Sequence, residues 1–397
     1  MLTSELDAVV EADIHISSIS GSDLEQDESL KEQIYFVAES RFEAARRVEI
    51  LPEGHRSRRL HGHSFLAKVS AQVPENRVVF AGAEVDFLRT QLQHVVSGLD
   101  YRNLNEIVTV PSDENLARWV RSQLAQVPNV DLVGMQSTAD QGADLDARNC
   151  AHIWKRYRFE AAHRLPNVST DHPCGRMHGH GFEVILHANQ SLGDRDMGID
   201  FDQLDGLWGP LDEELHLSCL NDIPGLSNPT SEIIGAWIWQ RLKPQIPQLS
   251  WVTVYETTSA GCHYDGENYR IWKEQRFESA MSQPQAPAGD RRKRLHGHSY
   301  VVRLHVTSPL HEVLGWTVDY GDVKQMFRPV YEAVDHHRLD RLEGLADFSI
   351  VGLLRFIRSR MTESLPNLDR IDLYETPGCG AFLQWGENRP ALPANSR

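Results

Sequence analysis

Apolar and polar positions along the chain fall into a small set of periods. His178, His180, Phe182, Val184 and Leu186 alternate with Gly179, Gly181, Glu183, Ile185 and His187, the two-residue period of a strand. Phe201, Leu204, Trp208, Leu211 and Leu215 then recur at helical spacing. So do Ile234, Trp237, Ile238 and Leu242, after Asn228-Pro229, which suits an N-cap followed by proline at the first helical position. The β-branched and aromatic run Trp251-Val-Thr-Val-Tyr-Glu-Thr257 predicts another strand. The resulting order is strand, strand, helix, helix, strand, strand. That order predicts an α+β unit, a four-stranded antiparallel sheet with two helices on one face.

The same unit is written three times. RFEAARRVEILPEGHRSRRLHGHSFLAKV (41–69), RFEAAHRLPNVSTDHPCGRMHGHGFEV (158–184) and RFESAMSQPQAPAGDRRKRLHGHSYVV (276–302) are related, at a spacing close to 118 residues. Each is followed by an acid-aromatic pair, Asp86-Phe87, Asp200-Phe201 and Asp319-Tyr320. The second and third units close on VYETTSAGC (254–262) and LYETPGCGA (373–381); the first reads GMQSTADQG (134–142) there. Domains are therefore expected at 32–150, 151–269 and 270–386, with a tail at 387–397. Residues 1–31 form an acidic leader, without Lys or Arg in its first thirty residues, read as mostly disordered. A lone four-stranded sheet leaves two open edges. Three such sheets joined edge to edge in a ring remove them, so the expected architecture is a pseudo-trimeric β-barrel ringed by helices.

Composition narrows the function classes. A net charge of −16 argues against non-specific nucleic-acid binding, which needs a broad basic surface. It leaves room for a small anionic substrate held by a local basic cluster. The chain has no apolar run of membrane-spanning length and no signal-like N-terminus. Its five scattered cysteines read as reduced thiols, and a cytoplasmic location is expected.

The chemistry concentrates in the second copy. His178 and His180 sit at i and i+2, on one face of a strand, and Gly179 between them permits close approach. His163, at the end of the preceding strand, can come alongside across the hairpin. Three imidazoles with an open fourth position are the ligand set of a catalytic zinc. Cys174 lies four residues before His178. The other copies keep His61/His63 and His296/His298 but carry Arg46 and Met281 in place of His163, and Ser57 and Arg292 in place of Cys174. One zinc per chain is the expectation.

At these residues the chain resembles the 6-pyruvoyltetrahydropterin and 6-carboxytetrahydropterin synthase family of tunnelling-fold enzymes, across all three repeats. The second repeat is most similar to the bacterial 6-carboxytetrahydropterin synthases of queuosine biosynthesis. It shares FEAAHRLP, the Cys-x-x-x-His-Gly-His spacing, LNDIPGLSNPTSE (220–232) and ETTSAGC (256–262). The resemblance implies a zinc-dependent carbon–carbon lyase acting on 7,8-dihydroneopterin triphosphate. It would release triphosphate and acetaldehyde to give 6-carboxy-5,6,7,8-tetrahydropterin. It further implies His163, His178 and His180 as zinc ligands, Cys174 as the proton-abstracting base, an Asp-His pair assisting it, and a glutamate anchoring the pterin ring. Such chemistry is sensible: zinc is a Lewis acid, a thiol beside a cation and a histidine has a lowered pKa, and a carboxylate accepts two parallel hydrogen bonds from a guanidine-like edge.

The second repeat departs from that pattern. The assisting pair is absent from Leu215-His216-Leu217-Ser218-Cys219-Leu220-Asn221, only Asp100 survives in the first repeat, and Asp335-His336 stand intact in the third. Because family sites lie between neighbouring subunits, a composite site is expected, with zinc and Cys174 from the second repeat and Asp335-His336 from the third. Glu256 is the preferred ring anchor and Glu375 the second choice, with Gln136 aligned to them in the first repeat. Arg291 and Arg292 are expected to bind the triphosphate. His172 is expected to face solvent, and Cys262 and Cys379 to pack. The expected assembly is a homodimer of stacked rings. Two competing readings remain: a pyruvoyl-forming or aldolase-like member of the same family, and a non-catalytic pterin-binding protein.

Overall fold

A computed structural model describes residues 32–190 and 198–385. The leader (1–31) and the tail (387–397) lie outside the described residues. The first repeat contributes strands β1 (Gln33–Arg46), β2 (His61–Ala71), β3 (Arg102–Asn103), β4 (Val130–Thr138) and β5 (Gln141–Leu145), with helices α1 (Glu84–Ser97) and α2 (Asp113–Gln123). The second contributes β6 (Ala151–His163), β7 (His178–Gln190), β8 (Ser218–Cys219), β9 (Leu249–Thr257) and β10 (Ala260–Tyr264), with α3 (Phe201–Leu215) and α4 (Ser231–Leu242). The third contributes β11 (Tyr269–Met281), β12 (His296–Thr307), β13 (His337–Arg338), β14 (Leu368–Thr376) and β15 (Cys379–Gln384), with α5 (Tyr320–Val334) and α6 (Ile350–Met361).

Within each repeat the order is as the periodicities predict, and the sheets join into one ring. Strand β5 pairs with β6, β10 with β11, and β15 returns to β1, all antiparallel. Twelve long strands thus close a barrel, and the three short strands β3, β8 and β13 lie parallel to the ends of β1, β6 and β11. A left-handed residue precedes each short strand: Tyr101, Leu217 and His336 have φ of 53°, 58° and 57°. Each donates its N–H to the same carbonyl of its repeat, Glu43, Glu160 or Glu278, at 2.6 Å. That bond ties the end of the first helix to the sheet, which offsets a strained φ for a residue with a Cβ.

Phe182, Val184 and Leu186 face outward and pack under Leu204, Trp208, Ile234 and Ile238 of the helices. The second helix starts at Ser231 under the N-cap Thr230, two residues beyond the expected Asn228. Residues of opposite parity fill the lumen, which is strongly polar. Arg370 binds Asp372 at 2.6 Å, His305 stands 3.2 Å from the same carboxylate, and Arg303 binds partly buried Glu274 at 2.8 Å; the other four are buried. Burial alone would push the Asp372 carboxyl up; Arg370 and His305 overcome it and hold it well below the usual carboxylate range. Its contribution to stability is therefore present above the unfolded carboxylate pKa and is lost only as pH falls toward the folded value. Breaking a buried pair strands a charge, so Asp372→Asn should cost ~3 kcal/mol in a urea melt at neutral pH. Replacing both partners (Arg370→Met with Asp372→Leu) should cost less.

Candidate metal centre and active-site cleft

The end of β6 and the start of β7 are cross-strand neighbours, with His163 opposite His178 and Ala161 opposite His180. His163 and His180 stand against Phe182 on the helix side of the sheet, and His178 packs against both imidazoles. Fully buried His163 has its Nδ1 3.0 Å from the Pro229 carbonyl, and His178 has its Nδ1 2.8 Å from the Arg176 carbonyl. Each carbonyl can only accept, so both Nδ1 atoms carry the proton and both Nε2 atoms carry a lone pair. Those two Nε2 atoms are 3.1 Å apart. His180 Nε2 is buried without a hydrogen-bond partner, and Glu256 Oε1 lies 3.5 Å from it. Ligand atoms of all four side chains fall within 4.8 Å of one another. Lone pairs converging this closely repel unless a cation lies among them. The donor set of imidazoles and a carboxylate suits a divalent ion such as zinc. Burial and the neighbouring rings hold His163 near a pKa of about 4, so it is neutral at neutral pH, the form that ligates.

Glu256 sits at a bulge in the β9–β10 hairpin. Burial, then Glu232 and Asp319, push its carboxyl up to about 7 against the opposing Lys273. The bulge of the β4–β5 hairpin falls at Ser137, between Gln136 and Thr138, and that of β14–β15 at Glu375. The first repeat therefore has Ser137 at the glutamate position, and the expected Gln136 aligns with Tyr255. One fewer residue separates the bulge from the hairpin tip than the linear alignment assumed.

Cys174 lies in the short 3-10 turn Pro173–Gly175, where its N–H is capped by His172 Nδ1 at 3.2 Å. His172 is not solvent-directed: its Nε2 is 3.5 Å from Asp319 Oδ2 of the third repeat. Asp319 also caps α5 through Gly321 and Asp322. The thiol is pushed up, by burial first and then by Glu256 and Asp319, opposite to the expected lowering. Burial is the larger cause and the two carboxylates add to it, whereas a cation at the imidazole cluster would oppose them.

The three loops that carry Cys174 or its counterparts behave alike. Each reaches the start of the first helix of the next repeat around the ring. Arg56 binds Asp202 at 2.6 Å, His172 meets Asp319, and Arg292 binds Asp86 at 2.8 Å. The clefts are thus shared between repeats, and the metal cleft belongs to the second and third. Arg292 belongs elsewhere: across the boundary between third and first repeats it lies over Phe80 and pairs with Asp86, while Asp290 and Glu375 of its own repeat also act on it. Glu375, pushed up to about 7 by burial, is in that cleft too. Arg291 opens the exposed turn beside it.

Asp335 and His336 are held by the sheet of their own repeat. Asp335 Oδ1 accepts from Glu278 N at 2.9 Å and Oδ2 binds His336 Nδ1 at 2.8 Å. His336 borders a groove with Glu278, Gly297 and His298, whereas the carboxylates acting on Cys174 are Glu256 and Asp319. The third repeat does complete the cleft of the second, through Asp319, Tyr320 and Lys273. Tyr320 hydrogen-bonds Ser231 at 2.7 Å, and buried Glu232 accepts from Thr317 N at 2.9 Å. Sequence reading passed over these residues, although the recurring acid-aromatic pair was their signal. A second group, Asp146, Cys150 and His152, also lies within 4.8 Å, but Asp146 Oδ1 already caps its own turn by accepting from Arg148 N and Cys150 N.

A closed ring of three α+β units, with an imidazole-lined cleft between two of them, defines a tunnelling-fold protein. The chain matches the 6-pyruvoyl tetrahydropterin synthase family over residues 35–141, 152–267 and 270–385, and belongs to it. Among curated relatives, a 6-carboxy-5,6,7,8-tetrahydropterin synthase of Synechocystis is 38% identical over 120 residues, 28% of this chain and 91% of that one. A dihydroneopterin monophosphate aldolase of Pyrococcus furiosus is 35% identical over 85 residues, 21% of this chain and 68% of that one. The solved 6-pyruvoyl tetrahydropterin synthase of Caenorhabditis elegans is 18% identical, covering 30% of this chain and 95% of its own, at a TM-score of 0.27.

Asp319 contributes an anion that favours the neutral thiol. Asp319→Asn should therefore shift the alkylation of Cys174, followed by peptide mass spectrometry, to half-maximal rate at lower pH than in the parent. An unshifted profile would remove Asp319 from the site.

Proposed function

We propose that the chain is a zinc-dependent pterin side-chain lyase with one active cleft. It converts 7,8-dihydroneopterin triphosphate to 6-carboxy-5,6,7,8-tetrahydropterin, with loss of acetaldehyde and triphosphate, as in the making of queuosine-type deazapurines. The observation that carries this reading is the His163–His178–His180 cluster, with Glu256 in its midst and Cys174 in the same cleft, in the second repeat. The similarity to the Synechocystis enzyme supports the carboxy product.

In this reading His163, His178 and His180 hold zinc, which polarises the substrate's side-chain oxygens when bound. Cys174 is the base for the side-chain proton. His172 and Asp319 are positioning residues that fix the Cys174 turn against the third repeat. Glu256 accepts the donor edge of the pterin, and Tyr320, through Ser231, and Thr317, through Glu232, brace the wall behind it. Lys273 is a cation beside Glu256. With Arg292 placed in another cleft, reversing its charge tests that cleft and not this one. Asp335-His336 keep the role of a relay only if they come from outside the groove they occupy here, as from a second copy. The chain is proposed to work in the cytoplasm. Among the described residues no helix is long and apolar enough to cross a membrane.

The Pyrococcus relative supports a second reading, an aldolase-like cleavage of the same side chain. One experiment separates these and ranks the glutamates: incubation with dihydroneopterin triphosphate and mass analysis of the product. The carboxy product is expected, with KM raised at least about 10-fold in Glu256→Gln, the loss of a charge-assisted pair, and near parental behaviour in Glu375→Gln. No turnover by the parent would favour a binding protein.

Stacking of two rings has its own support. Leu60, Met177 and Leu295, each just before a His-Gly-His, are 61%, 54% and 58% exposed, and Tyr101 and Leu217 are 83% and 76% exposed at the β3 and β8 positions beside the same strand ends. Sedimentation should give twice the 45.1 kDa chain mass, falling to the chain mass in Leu60→Glu/Leu295→Glu.

A further inference from the structure

The cleft between the first and second repeats repeats the architecture of the metal cleft with different chemistry at each position. Arg46 replaces His163 and donates through Nη1 to the Pro111 carbonyl at 2.9 Å, where His163 meets the Pro229 carbonyl. The negative charge has moved from the hairpin bulge to the helix. Asp113 stands where the second repeat has Ser231, binds Arg46 at 2.6 Å, and accepts from Ser137 Oγ at 2.7 Å. Ser57 replaces Cys174. A guanidinium thus occupies the metal position, its charge matched by Asp113, and burial first and Arg46 second hold His63 to a pKa of about 4. These substitutions exclude zinc and remove the base.

They do not close the cleft. A cavity of about 610 Å³ remains, within the size range of small-ligand pockets. Its walls are apolar at Val48, Leu51 and Phe201, and its polar lining includes Arg59, Asp200 and the Arg56–Asp202 pair. Two buried polar atoms of its lining have no partner, Arg46 Nε, a donor, and Glu114 Oε1, an acceptor. Arg46 and Glu114 are 5% and 3% exposed. In the metal cleft the counterpart of Glu114, Glu232, has both oxygens engaged, by Thr317 and Ser231. An unpaired buried donor and acceptor each carry the full desolvation penalty of an unmade hydrogen bond. A ligand presenting a C=O to Arg46 and an N–H to Glu114 would relieve both, and a flat ring suits the Phe201 wall.

We propose that this cleft is a second, metal-independent ligand site that binds without turnover. It takes a planar oxo-heterocycle, ring edge inward to Arg46 and Glu114, with an anionic tail at Arg59. That the heterocycle is a pterin rests on the proposed function; the metal independence does not. A chain with one reacting and one merely binding cleft can sense the level of the compound it consumes or makes.

Calorimetric titration of the full chain with pterin-6-carboxylate tests this, using Glu256→Gln to silence the metal cleft. One saturable event per chain is expected to persist in Glu256→Gln, to survive chelator treatment, and to weaken at least about 10-fold when Arg59→Glu or Ser57→Trp is added, a loss the size of one charge-assisted contact or a filled cavity. Both added changes lie in a partly exposed loop, and a parental melting temperature confirms the fold of each. A flat titration in Glu256→Gln, or a residual event indifferent to both added changes, overturns the proposal. Failure of the metal-cleft reading shows separately, as turnover unaffected by Glu256→Gln.

Discussion

Closure of the ring is the constraint on which the rest depends. When β15 pairs with β1, the last open sheet edge disappears, and the barrel ends hold the three hairpin loops at fixed places. Each loop then has a neighbour within reach, and each neighbour offers an acidic side chain at the start of a helix. The interlocks Arg56–Asp202, His172–Asp319 and Arg292–Asp86 are three chemical solutions to one geometric condition. A cleft between repeats follows from closure, and its chemistry depends on which residues the two sides contribute.

Tandem fusion makes those contributions independent. In a ring of identical subunits every cleft must carry the same groups. Here one keeps three imidazoles, a carboxylate and a thiol. Another has exchanged them for an internally neutralised Arg46–Asp113 pair. The third keeps its carboxylate, Glu375, opposite Arg292. An arginine at the His163 position, with one negative charge moved from the bulge to the helix start, turns an imidazole cluster into an ion pair, because both positions adjoin the same strand end.

The polar lumen has its own economy. Arg370, Asp372, His305 and Arg303 are buried at the barrel's centre, with Glu274 partly buried, a position that costs solvation unless every charge is matched. Their pairing explains why the alternating pattern puts histidine and arginine on the face away from the helices. The inward face combines these ion pairs with buried aromatic clusters such as Trp154, Tyr255 and Trp272.

Much of this was present in the linear chain. Alternation through His178–Leu186 and helical spacing through Phe201–Leu215 are local, and a triplicated pattern needs only self-comparison, so the repeats, the layer order and the closed ring could be read directly. The three-histidine cluster was readable as well, because two ligands share a strand face and the third is their hairpin partner. Contacts between repeats were not readable, since no local period records which loop meets which helix. Asp319 beside Cys174, Arg292 in a different cleft, Ser137 at the glutamate position and Asp335-His336 on their own sheet depend on ring geometry and on the bulge in each closing hairpin. The chain by itself determined what each repeat is; only the closed barrel decided which side chains of neighbouring repeats share a cleft, because that proximity is created by the last pair of strands.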